Sequence, residues 1–420
     1  MANFSRKLQL DWWTIVLYGL LVSVGWINIY SASYTESTQA FFDFSQIYFK
    51  QLFFIALSIV LIIFILALDS KFYERFSSVI YLVSLASLLG LFVFGKNING
   101  ATSWYAFGSF GLQPSEFAKA ATALALGKYV SDIQTNMNEW KHQIRSFLII
   151  VLPALLIIAQ PDPGSALVYA AFLFPMYREG LHYIFLLLGF MAAALFVGTL
   201  SIGTKWMALM IAAMALAHFL FRLKRNKRPK WLRYAFVTIL CIGFSFSVNY
   251  VFNTVFEQRH RDRFNIVLGK EVDEKGIGYN TNQSEIAIGS GGWTGKGWLQ
   301  GTQTKGNFVP EQHTDYIFST IGEEWGFLGS LAVVVLFVSL IIRLLVLSER
   351  QKSIFGRVYG YSVASILFFH FFVNVGMVTG LLPTIGIPLP FISYGGSGLW
   401  GFTILLFIFV KLDATNYIHS

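Results

Sequence analysis

Four stretches of the chain combine ionisable, hydroxyl and glycine residues in patterns that could do chemistry. The most concentrated runs from 280 to 329. Its first part is glycine-rich and carries Gln283, Ser284, Lys296, Thr302 and Gln303; it then passes through Val309-Pro310-Glu311-Gln312-His313-Thr314-Asp315 into an apolar run that lasts to Leu347. A carboxylate where a polar loop meets an apolar run is costly to leave without a partner in lipid, so Asp315 is a candidate catalytic residue. Thr314 or Asp315 would equally serve as a helix N-cap, and both readings stay open. Glycine-rich backbone from Gly289 to Gly301, with Lys296 and Lys305 beside it, could cradle phosphates through its N–H groups, although the spacing is not that of a P-loop. His313 next to Asp315 does not make a metal site by itself.

The second stretch is Ile98 to Trp104 followed by Gln113 to Lys119. Pro114 and Glu116 make a good helix start. Lys119 lies three residues after Glu116, on the same face, so the two can pair, and such a pair should face the protein interior or a water-filled cavity. Trp104 on its own reads as an interface anchor. The third is Gln160-Pro161-Asp162-Pro163-Gly164-Ser165, where two prolines rule out continuous helix and Asp162 reads as a turn residue. The fourth is the Gly/Pro-rich run from Gly380 to Ser397, which carries Ser393 and Ser397 and reads as a broken, re-entrant segment.

These stretches need elements to position them, and the composition says which. Of 420 residues, 55% are hydrophobic and only 13% charged, with a mean hydropathy of +0.59. A soluble domain carries roughly 25% charged residues, so the expectation is an all-α, polytopic membrane helix bundle. Apolar runs fall at about 11–31, 47–68, 76–94, 114–130, 146–160, 164–178, 183–200, 204–222, 234–255, 316–347, 358–380 and 395–411, about twelve spans in all. Basic residues recur in alternate connections, most densely between Arg222 and Arg233, which puts both termini and these loops in the cytoplasm. The same loops account for the net charge of +9 without a nucleic-acid partner. Residues 256–314 then form a large extracytoplasmic loop in a single membrane domain spanning 1–420, and all four stretches face outward. The lone Cys241 excludes a disulfide within the chain and reads as packing. No Walker sequence or kinase set faces the cytoplasm.

The runs NGATSW, QPSEFAK, QPDPGSALV, QSEIAIGSGGWTGKG, VPEQHTDYIFSTIGEEWG and GLLPTIGIPLPFISYGGS occur in that order. Together they resemble the SEDS family (shape, elongation, division and sporulation). The resemblance implies a peptidoglycan glycosyltransferase that polymerises lipid II outside the inner (cytoplasmic) membrane, working with a class B penicillin-binding protein transpeptidase. It places the family's essential aspartate on Asp315 and other family positions on Trp104, Glu116 and Lys119. With them Gln283, Ser284, Lys296, Glu311, Thr314, Ser393 and Ser397 are candidate substrate-binding residues. A divalent metal, Mg or Mn, at Asp315 is a further expectation. The family has ten spans, so 204–255 is expected to be an inserted hairpin. The competing reading is a lipid II flippase, since broken helices and an intramembrane Glu–Lys pair are also transporter features.

Overall fold

The computed structural model describes residues 9–34, 43–98, 100–108, 110–132, 134–225, 230–254, 256, 258–268, 270 and 278–416. Arg6 and Lys7, Glu36, Lys227 and Arg228, and the 271–277 part of the long loop lie outside the described residues. The twelve apolar runs all fold as helix. Among the described residues, ten helices are long and apolar enough to cross a membrane: α1 (Trp12–Ser33), α2 (Ile47–Ala67), α3 (Ser70–Phe94), α5 (Trp140–Ile158), α8 (Ile184–Ile202), α9 (Thr204–Lys224), α10 (Trp231–Thr254), α14 (Ile317–Glu349), α15 (Ile354–Val378) and α16 (Gly396–Asn416).

The other two runs become something shorter. α4 (Pro114–Val130) has 17 residues, about 25 Å of helix against a hydrocarbon core of about 30 Å. It is sheathed by α3, α5, α15 and α16 rather than by lipid. Ala118, Ala120, Ala121, Ala123 and Ala125 are all buried, and such small side chains let neighbouring helices approach closely. The run after the two prolines starts as α6 (Pro163–Leu167), tightens into a 3-10 turn at Val168–Phe172 and resumes as α7 (Leu173–Arg178).

The chain divides into two compact units. One comprises residues up to His182 and from Asn280 onward, the other Tyr183–Tyr279. The second unit holds α8, α9, α10 and the short α11 (Gln258–Val267). Leu195, Met207, Ile211 and Cys241 form one buried cluster there, so Cys241 is packing, and Leu200, Val248 and Phe252 form another.

The first unit departs from an all-helical reading in one place. The connection between α3 and α4 is an antiparallel sheet of β1 (Lys96–Ile98), β2 (Ala101–Phe107) and β3 (Phe110–Leu112). Gly100 and Gly108 reverse the chain with φ of 86° and 60°, values that glycine adopts without strain. Thr102 N–H donates to the Gln160 carbonyl at 3.2 Å and Tyr105 Oη to the Ser87 carbonyl at 2.7 Å, which docks the sheet on the helices.

α14 is broken. Gly326 has φ 64° and ψ −159° inside its 33 residues. An unbroken helix of that length would reach about 50 Å, far beyond a bilayer core. The part beyond the break, Phe327 to Glu349, is about 35 Å long and matches one. At the far end of the first unit, ion pairs tie the helices together: Arg357 Nε to Glu179 at 2.6 Å, Arg350 Nη2 to Asp413 at 2.8 Å, and Arg343 to the α1 N-cap Asp11.

Candidate functional site

Asp315 is half-buried and lies two residues before α14, whose N-cap is Tyr316. The turn that carries it begins at Glu311, which has φ 54°. Three successive carbonyls of this turn are held from outside it. The His313 carbonyl accepts from Tyr394 N–H at 2.9 Å, the Thr314 carbonyl from Ser393 Oγ at 2.7 Å, and the Asp315 carbonyl from Asn374 Nδ2 at 2.8 Å. The first two donors belong to the Gly/Pro-rich segment, the third to α15. The same Asn374 amide donates to the Ile387 carbonyl at 2.7 Å, so one side chain joins the Asp315 turn to the broken segment. Gly386, φ 77°, faces the carboxylate: a Cβ built there would lie 3.3 Å from Asp315 Oδ2. Thr314 Oγ1 donates to Glu311 Oε2 at 3.0 Å. Burial pushes the His313 imidazole below its usual range, against the pull of Glu311.

A second cluster sits at the α4 N-terminus. Lys119 Nζ donates to Glu116 Oε2 at 2.8 Å and meets His370 Nε2 at 2.9 Å, and all three side chains are buried. An ammonium only donates, so Nε2 must accept. That assigns the proton to Nδ1, which lies 3.2 Å from the Pro388 carbonyl and donates to it. The Phe402 ring stands 4.7 Å from Lys119 Nζ, a cation–π contact that suits a dry pocket. Gly401 makes room for Glu116, whose Cβ would lie 2.9 Å from any Cβ added there. His370 and Asn374 are one helical turn apart on α15, and their acceptors, Pro388 and Ile387, are adjacent. The Glu116–Lys119 pair and the Asp315 turn are therefore anchored to the same short stretch of the broken segment.

The glycine-rich loop works differently from the phosphate cradle considered from the sequence. Part of it is helical, as α12 (Tyr279–Ser290) and α13 (Thr302–Lys305). The rest fills the gap in α14. A helix break orphans backbone donors and acceptors on both sides. The carbonyls of Glu323 and Glu324 accept from Lys296 and Gly297 N–H, each at 3.0 Å. Phe327 and Leu328 N–H donate to the Gly292 and Trp293 carbonyls at 2.9 and 3.1 Å. Gly295 and Gly326 meet so closely that a Cβ on either would strike the other's backbone neighbourhood. The buried Glu323 side chain accepts from Lys296 Nζ at 2.8 Å and from the N–H groups of Gln303 and Thr304 at 2.8 and 2.9 Å.

Of the residues singled out from the sequence, Glu311, Thr314 and Asp315 share one turn, which Ser393 clamps from the Gly/Pro-rich segment, and Glu116 and Lys119 form the neighbouring cluster. Lys296 is committed to Glu323. Ser284 donates to the Val378 carbonyl at 2.8 Å and so closes the end of α15. Gln283 is half-buried on α12, and Ser397 is buried in the first turn of α16. Trp104 is half-buried on β2 with its ring against Gly111. Asp162 is the N-cap of α6, accepting from Ser165 N–H at 3.0 Å, as a turn residue should. His370, Asn374 and Glu323 escaped the sequence reading. Their only signal was a polar side chain inside an apolar run, which in a membrane segment is itself a pointer to function. Among the described residues no group of three or more His, Cys, Asp and Glu is placed to hold a metal ion.

The fold and site define a multi-pass helical membrane protein with an aspartate turn clamped against a re-entrant Gly/Pro segment. The sequence matches the profile of the FtsW/RodA/SpoVE cell cycle proteins over residues 11–229 and 230–418, and the chain belongs to that family. It is 34% identical to the peptidoglycan glycosyltransferase MrdB of Escherichia coli strain K12, over 82% of this chain and 80% of that one. It is 32% identical to the peptidoglycan glycosyltransferase RodA of Treponema pallidum, over 94% and 95% of the two chains. Among solved structures, a chain of a peptidoglycan synthase complex described as coordinating polymerization and crosslinking superposes with a TM-score of 0.69 at 25% identity, covering 98% of this chain and 99% of that one. The rod shape determining protein RodA of Thermus thermophilus shares the fold, with a TM-score of 0.64 at 22% identity and 99% of each chain covered.

Proposed function

We propose that the chain polymerises lipid II into glycan strands on the outer face of the cytoplasmic membrane, with Asp315 as general base. It is a peptidoglycan glycosyltransferase. The observation that carries Asp315 is the triple clamp on carbonyls 313 to 315, which fixes the main chain of a half-exposed carboxylate. Fixed geometry of this kind is what general base catalysis needs. In the reaction an acceptor sugar hydroxyl attacks the anomeric carbon of the donor sugar, Asp315 takes the hydroxyl proton, and the polyprenyl diphosphate leaves with its bonding electron pair.

Lys119 is engaged by Glu116 and His370, so its part is to hold the broken segment behind Asp315 while lending that region positive charge. The described residues do not form a self-contained metal site. Asp315 is the residue that would hold a Mg2+ or Mn2+ ion, and such an ion would supply charge to neutralise the leaving diphosphate. The alternation of basic loops supports an orientation with both termini in the cytoplasm. The likeness to a chain from a complex that couples polymerisation to crosslinking supports a class B penicillin-binding protein as partner, and the likeness to MrdB and RodA supports a role in elongation and cell shape.

Purified full-length protein with its transpeptidase partner, given labelled lipid II, should produce glycan chains resolvable on a gel. Asp315→Asn should reduce their formation by roughly 100-fold or more while the protein folds and binds its partner. An Asn variant working at the parental rate would remove Asp315 from the chemistry. Rescue by excess divalent metal would assign it to ligation instead of proton transfer. Movement of lipid II across a vesicle membrane without chain growth would make the protein a flippase.

A further inference from the structure

A cavity of about 210 Å³ lies within the second unit, where the end of α8, the end of α10 and α11 meet. Arg261, Lys270, Asn249, Asn253, Gln258 and Asn265 supply its polar lining, and among the described residues that lining contains two cations and no carboxylate. The nearby acid, Asp262, accepts from Gln258 Nε2 at 2.6 Å. Arg261 Nη1 donates to the Asn253 carbonyl at 2.8 Å, tying α11 to the last turn of α10. Its Nε–H is shielded from solvent and has no acceptor among the described residues. A guanidinium N–H shut away without an acceptor is costly, and an anion beside it would remove that cost.

The surroundings say what kind of anion. Asn249 and Asn253 stand in the last two turns of the membrane helix α10, where it reaches the interface. Gly203, φ 86°, turns α8 into α9 and lines the polar cavity. The residue before it, Ile202, opens an apolar groove continued by Trp206, Leu209, Met210 and Ala213, and this groove carries almost no polar surface. A polar, cationic cavity adjoining an apolar groove at one helix corner matches an amphiphile rather than a free ion. Side-chain amides both donate and accept, which suits hydroxyl groups next to a phosphate.

We propose that this corner binds one anionic glycerophospholipid with a hydroxylated headgroup, of the phosphatidylglycerol type. The phosphate sits on Arg261 and Lys270, the headgroup hydroxyls on the asparagine amides, and an acyl chain in the Ile202–Ala213 groove. Anionic lipids are held at membrane interfaces by such basic groups.

The test is native mass spectrometry of the delipidated full-length protein with added phosphatidylglycerol, phosphatidylcholine, undecaprenyl phosphate or inorganic phosphate. One phosphatidylglycerol should remain bound per chain under activation that strips phosphatidylcholine. Arg261→Gln and Lys270→Gln should each weaken its retention about fivefold, as the loss of one interfacial cation predicts. Trp206→Ala should weaken the lipid but not inorganic phosphate. If Arg261→Gln does not fold, the exposed Lys270→Gln and Asn249→Leu carry the test alone. Equal retention of phosphatidylcholine, or unchanged retention in the variants, would overturn the proposal. So would stronger retention of undecaprenyl phosphate, which would make the corner a prenyl-phosphate site, or binding of inorganic phosphate alone, which would make it a simple anion pocket.

Discussion

At the scale of residues, the buried Glu116–Lys119–His370 group is the sharpest case of mutual dependence. Removing one member of a buried ion pair leaves the other charge uncompensated, a loss of about 3–5 kcal/mol. Glu116→Gln or Lys119→Met alone should therefore lower the thermal midpoint and the yield, and the double variant should recover both. Equal midpoints for all three would mean that water reaches the pair. His370 sharpens the case, because its Nδ1–H holds the Pro388 carbonyl while Nε2 accepts from Lys119. The pairing of Glu116 with Lys119 could be read from their spacing. The imidazole could not, because it lies 251 residues further along the chain and only the folded bundle brings it in.

At the scale of elements, the Gly/Pro-rich segment acts as the backing plate of the Asp315 turn. Asn374→Leu keeps the side-chain volume but releases the carbonyls of Asp315 and Ile387. A displacement of about 1 Å at a catalytic group can lower the rate about a hundredfold, so this variant should lose turnover by up to that factor with little change in KM. Parallel losses of binding and turnover, or none, would show that the clamp does not set the carboxylate's place. The apolar runs located the helices because burial in lipid dictates composition directly. The prolines located the α5–α6 break for a similarly local reason. The sheet that carries Trp104 was not legible, since its strands are only three to seven residues long and carry no sustained alternation. Nor was the use of the glycine-rich loop: its partner is a break in α14, and no local rule marks Gly326 as the place where a long apolar helix must part.

At the scale of the whole molecule, direction across the membrane is the first thing to measure. A reporter active only outside the cell should work when fused near Gly292, and one active only inside should work near Lys227; the reverse at either place would invert the topology. The α9–α10 hairpin offers a second measurement. The clamped turn, the ion pair and the loop that fills α14 all belong to the other unit, so deleting residues 203–256 and rejoining the chain should leave part of the polymerising activity. Complete loss in a stably expressed deletion would make the hairpin a support of the site.

The filled break in α14 also bears on how the protein is made. The ribosome delivers residues 291–297 well before Phe327, so the loop leaves the insertion machinery ahead of the only backbone groups it is shaped to meet. When α14 follows, Glu323 and Glu324 stand just before its Gly326 break, and the backbone groups beside that break lack partners within the helix. The loop delivered earlier supplies the replacement hydrogen bonds at Gly326. The region beside Asp315 thus depends on a contact that cannot form until both the loop and α14 have been delivered.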